Sequence, residues 1–218
     1  MKTTNDLVAQ LSAAPGLSGR SLTQIYLMVF FSSSIVLAAF GLVLFELAGA
    51  SIRSGYFNLV TEPVIALKQL TPLLVAITSV PLGIMLLRPE ARLSFKAVPL
   101  VVALLILPIL AASTLVPLSE DSRSIVMLGD GFYQCLTSIV GLSIGLLAAQ
   151  ILVLRRGAVT QPGGAGAVAG LAAGAIAAII YAFICTEDSP GFYGLWYSVG
   201  IFASGFVGAL VGKRFLRW

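Results

Sequence analysis

Six long apolar runs, separated by short polar loops, limit what this chain can fold into more than any other feature. They fall near residues 24–49, 63–87, 97–118, 131–154, 164–185 and 191–212. About 20 helical residues cross the ~30 Å hydrocarbon core of a bilayer, and every run is long enough. Backbone groups in lipid must be satisfied within a helix or a closed barrel. Barrel strands alternate in polarity, and these runs do not. A soluble domain of 218 residues could bury one core but not six separate runs. Charged residues make up 10% of the chain, against about a quarter in soluble domains. The mean hydropathy of +1.02 agrees. The predicted fold class is an all-α, polytopic membrane protein with six transmembrane helices. Residues 24–218 form that domain and residues 1–23 a tail ahead of it. The first run is too long for a signal-peptide core, so no cleavable signal is predicted.

An even number of spans places both termini on one side, and loop charges choose the side. Lys2, Arg20, Arg88, Arg92, Lys96, Arg155, Arg156, Lys213, Arg214 and Arg217 fall in the tails and the second and fourth loops. The alternate loops hold only Arg53 and Arg123, and Lys68 lies inside the second span. The positive-inside rule then predicts both termini in the cytoplasm. Glu62, Glu120, Asp121, Asp130, Glu187 and Asp188 collect on the far side. Phe192, Tyr193, Trp196 and Tyr197 are expected to form an outer aromatic belt, with Tyr26 and Trp218 at the inner interface. The net charge of +4 is dispersed over short loops and gives no sign of direct nucleic-acid binding.

The last three spans carry small residues at every fourth position. The stripes are Gly141 and Gly145; Gly166, Gly170 and Gly174; Gly200, Ser204, Gly208 and Gly212. Such stripes let helix backbones approach closely in lipid, so spans four to six are expected to form one tight sub-bundle. The pattern does not say whether the contacts lie within one chain or between chains, and the oligomeric state stays open. Pro72 and Pro108 lie deep enough in spans two and three to kink them.

The chain contains no histidine, which removes the commonest general base and metal ligand. No Ser/His, Walker, Rossmann or paired-carboxylate pattern is present, so neither an enzyme nor a bound cofactor is expected. Two polar features remain in or near the bilayer. Glu46 ends the first span and Lys68 begins the second, which makes them candidates for an intramembrane ion pair. A lysine this close to the interface can equally snorkel to water. No charge sits at the centre of any span, which argues against ion-coupled carriers. The second feature is the pair Cys135 and Cys185, which open and close consecutive antiparallel spans at equal depth. A disulfide also needs a Cα separation below about 7 Å. Two small residues in helix packing, or two thiolates holding a soft metal, are the alternatives. Two cysteines cannot complete the four-ligand shell of a structural zinc. In the tail, Thr3-x-x-Asp6 is a capping-box-like start for a short helix whose stripe is Leu7, Val8 and Leu11, ended by Pro15-Gly16. That helix is either a frayed terminus or a partner-binding segment that orders on contact.

An ordered set of short motifs carries a resemblance. It comprises Leu154-Arg155-Arg156-Gly157, the stretch Gly166 to Gly174, Cys185-x-Glu187-Asp188-Ser189-Pro190, Leu195-Trp196-Tyr197 and the closing Arg214-Phe215-Leu216-Arg217-Trp218. With these the chain resembles the NrsF-like family, negative regulators of sigma F that are six-span anti-sigma factors of the bacterial inner membrane. The resemblance implies an extracytoplasmic-function sigma factor as partner, held on the cytoplasmic side. It also implies that Cys135 and Cys185 act as sensor thiols for envelope, metal or redox stress. It does not choose the sigma-binding residues. Among the cytoplasmic segments only the tail can form a helix with an apolar stripe, so Asp6, Leu7, Val8 and Leu11 are the expected determinant. The rival readings are a small-solute membrane transporter and a thiol-redox membrane protein.

Overall fold

A computed structural model of the chain describes residues 20–54, 56, 61–91 and 95–216. Asp6, Leu7, Val8, Leu11 and Trp218 lie outside the described residues. The described residues form seven α-helices and one 3-10 turn, with no strand. The helices are α1 (Leu22–Leu47), α2 (Pro63–Met85), α3 (Val98–Leu115), α4 (Glu120–Leu128), α5 (Phe132–Leu154), α6 (Pro162–Ala182) and α7 (Pro190–Phe215). Six are long and apolar enough to cross a membrane, and α4 is a short piece leading into α5. Below, the near end of the bundle is the end where α1 begins and α7 finishes, and the far end is the opposite one.

Local chemistry sets the helix starts. The Ser21 hydroxyl accepts from the Gln24 N–H at 3.2 Å, and the Gln24 side chain accepts from the Ser21 N–H at 3.1 Å. This capping box starts α1. Pro63, Pro162 and Pro190 each open a helix, where a missing N–H costs nothing and the fixed φ is already helical. Gly129 has φ +50°, which favours glycine and breaks α4 from α5. Arg123 reaches back from α4 to the carbonyls of Leu115, Val116 and Leu118 at 3.0, 3.2 and 3.0 Å. These are the unsatisfied acceptors at the end of α3.

The core is an antiparallel pair, α6 and α7, surrounded by α5, α2 and α3, with α1 on the outside against α5. Glycine makes the central pair. A methyl group at Gly166 would run into the carbonyl oxygen of Gly208, one at Gly170 into Ser204 O, and one at Gly212 into Pro162 O. The expected sub-bundle therefore forms, and these two stripes face each other within one chain. The third stripe differs. Gly141 has open space where its side chain would be, and Gly145 only meets Leu37. They line an open groove beside α1 with Phe40 and Leu44.

The expected aromatic belts are not where the sequence suggested. Phe192, Tyr193 and Tyr197 are fully buried, and Trp196 is half-buried, donating its Nε1–H to Met127 O at 2.7 Å. Gly194 presses against Leu107 O and Ala111 of α3. That close approach seats the start of α7 inside the bundle and turns its aromatics inward. Tyr26 is also buried and donates to Gln150 Oε1 at 3.0 Å.

Candidate functional site

The loop from Phe183 to Ser189 joins α6 to α7 at the far end, and it is held from three directions. From α2, the Lys68 ammonium donates to Cys185 O at 2.8 Å, Glu187 O at 2.8 Å and Asp188 Oδ1 at 3.3 Å. Lys68 is 1% exposed. A buried ammonium is costly unless it is paired and its remaining protons are satisfied. Three acceptors meet the three donors that lysine has. From the segment after α1, Arg53 Nη1 contacts Asp188 Oδ2 at 2.6 Å, and the Arg53 N–H donates to Phe183 O at 3.2 Å. Asp188 thus bridges two cations. From the turn before α5, the Asp130 N–H donates to Glu187 Oε1 at 3.3 Å. The Tyr56 ring rests on Phe183 with centroids 4.9 Å apart. Burial pushes the Tyr56 hydroxyl above its ordinary pKa, and the Asp188 carboxylate adds to that rise.

The expected partner of Lys68 was Glu46, and this is corrected. Glu46 is exposed at the end of α1, and the ion pair is made with Asp188. Lysine entering from the start of α2 meets the loop that crosses above it before it can reach the outermost helix. Nor does Lys68 snorkel to water, because its head group is enclosed by the loop carbonyls.

Both cysteines are free thiols at the far end. Cys135 lies in the first turn of α5 and is fully buried. Cys185 belongs to the clamped loop, and its thiol donates to Glu187 O at 3.8 Å. The two belong to one buried cluster. They differ in access. Cys185 is among the residues lining a cavity of about 520 Å³, with Asp130, Gln134, Ser138, Thr186 and Glu187, and Cys135 is not. Among the described residues no three Cys, Asp, Glu or His side chains are grouped to hold a metal ion. A soft metal would have the two thiols without a third such side chain.

At the near end the structure joins pieces that the sequence left separate. The Ala158 N–H donates to Leu87 O and Thr160 Oγ1 to Pro89 O, both at 3.1 Å. The two loops thereby form one surface on which Arg88, Arg155 and Arg156 are exposed, with Lys96, Lys213 and Arg214 exposed at neighbouring helix ends. In the first turns of α1, Tyr26 packs against Gly83 of α2 and bonds Gln150 of α5. Gln150 in turn donates to Ala169 O of α6 at 3.4 Å. Sequence reasoning missed Asp188, Arg53 and Gln150. The acidic run after Cys185 was the one available signal.

Two relatives are similar to the chain in sequence. The chain is 32% identical over 216 residues to a protein of Azospira oryzae named probable anti-sigma-F factor NrsF, covering 99% of each chain. It is 38% identical over 102 residues to the anti-sigma-F factor NrsF of Caulobacter vibrioides, covering 46% of this chain and 48% of the relative. The family model for NrsF, negative regulator of sigma F, matches residues 22–218. The chain belongs to the NrsF family. The match begins at α1 and spans every described helix. No solved structure matches the chain.

Proposed function

We propose that the chain is a membrane-bound anti-sigma factor of the bacterial inner membrane. It sequesters an extracytoplasmic-function sigma factor at the near end and releases it when the far-end thiols are modified. Family membership supports the anti-sigma role. Charge supports the orientation. At the near end Arg20, Arg88, Lys96, Arg155, Arg156, Lys213 and Arg214 are exposed. At the far end Lys68 and Arg53 are bound to Asp188, and Arg123 is bound to the end of α3. The exposed basic residues at the near end support reading that end as the cytoplasmic one.

The observation that carries the sensing role is the placement of Cys185. Cys185 is one of the residues lining the far-end cavity, and its own carbonyl is gripped by Lys68. Modification of the thiol would disturb a loop that three other elements hold. Cys135 sits in the same buried cluster as its partner. The N-terminal tail, through Asp6, Leu7, Val8 and Leu11, is the proposed sigma-binding segment. The regulatory role involves neither catalysis nor a cofactor.

The test is to replace Cys135 and Cys185 by Ser, singly and together, and to challenge cells with diamide, which takes two electrons and two protons from a thiol pair. A shared switch predicts that each single variant blocks sigma-factor release as fully as the double variant. Independent, additive effects of the two single changes would contradict it.

A further inference from the structure

Resting on that reading, we infer that Lys68 is the positioning residue that couples the thiol loop to the near end, and that breaking its grip is the step that releases the partner. Its three bonds are not spread over the molecule. They all go to residues 185–188, and one goes to the carbonyl of Cys185 itself. The Cys185 thiol shares the Glu187 carbonyl with the lysine. A movement of Cys185 that shifts this carbonyl pair takes acceptors from a buried ammonium. The ammonium then has to find new partners, because an unsatisfied buried charge is not sustained.

The same helix reaches the other end. Lys68 lies in the second turn of α2, and Gly83 lies in its last turn against the Tyr26 hydroxyl. Just beyond, Leu87 O binds the 155–160 loop. Tyr26 is in the first turns of α1, directly after the tail. One helix thus touches the thiol loop at its start, and the first turns of α1 and the 155–160 loop at its end. Asp188 tunes the grip by holding Lys68 and Arg53 at once, tying the loop to the segment that follows α1.

The experiment uses the full chain in native membranes. Lys68→Met keeps the length of the side chain and removes the ammonium. In unstressed cells the sigma factor recovered with this variant should fall roughly tenfold, as for loss of one charge-assisted contact, with the membrane level unchanged. N-ethylmaleimide should alkylate Cys185 roughly tenfold faster through loop opening, with Cys135 unchanged. A general loss of structure would speed both thiols. Lys68→Met combined with Cys135→Ser and Cys185→Ser should still release, because the lysine acts after the thiols. If the thiols are not the sensor, the double Ser chain with Lys68 intact will still respond to diamide, while the Lys68→Met result stands by itself. Asp188→Asn leaves the ammonium its two carbonyls and should give a smaller change in the same direction. Full sigma retention by Lys68→Met with unaltered Cys185 labelling overturns the proposal. Failure of both variants to accumulate in the membrane also overturns it, since Lys68 would then be a folding determinant only.

Discussion

Glycines with the same spacing do different work along this chain. Gly170 has no room for a side chain, because backbone of Ser204 and Gly205 fills the space. Gly141 has nothing within 4 Å of that position. Gly170→Ala is expected to lower stability by about 1–3 kcal/mol, the range for overpacking a tight core. Gly141→Ala is expected to raise it by about 0.5–1 kcal/mol, because the open site lets the helix-propensity gain stand alone. Thermal unfolding of the purified protein in one detergent compares them directly. The four-residue spacing was legible in the sequence, and so was the sub-bundle it builds. Which stripe meets which was not, since spacing names a face and not the partner of that face. The same limit applies to Lys68. Its charge inside a span was legible, but its partner Asp188 lies 120 residues away. Only the folded loop brings them together.

The helices were more legible than the surfaces they present. Span positions follow from apolar length, and the six long helices lie within a few residues of the expected runs. α4 was missed because nine residues beginning Glu120-Asp121 read as a polar loop, and tertiary contacts with α3 and α7 stabilise it. The aromatics of α7 were misplaced because an aromatic cluster near a span end is normally interfacial. Here Gly191 and Gly194 let α7 sink against α3, and burial of large rings outweighs their preference for the headgroups. The tail belongs at this scale too. On the proposed orientation it hangs from α1, whose first turns are tied to α2, α5 and α6 through Tyr26 and Gln150. Leu7→Ala combined with Leu11→Ala should free the sigma factor, measured as sigma-dependent transcription, with the chain still present in the membrane at its normal level. Complete repression by that double variant would move the binding surface to the basic loops around Arg88 and Arg155.

The whole molecule is a tight core with two differently built ends. The α6/α7 pair is the rigid part, and α2 and α5 lean on it from either side. The far end concentrates acidic residues, both thiols and a buried cation whose bonds all go to one loop. The near end shows positive charge with few internal partners. This asymmetry suits a protein that senses on one side of a membrane and holds a partner on the other. The most direct measurement captures the full chain, tagged at its C-terminus, from membranes solubilised in mild detergent, and identifies what comes with it by mass spectrometry. The account predicts that a sigma factor is recovered in amounts similar to the chain itself, and that prior treatment of the cells with diamide removes it. Recovery of the intact chain without a sigma factor, or with one whose amount diamide leaves unchanged, would contradict the account.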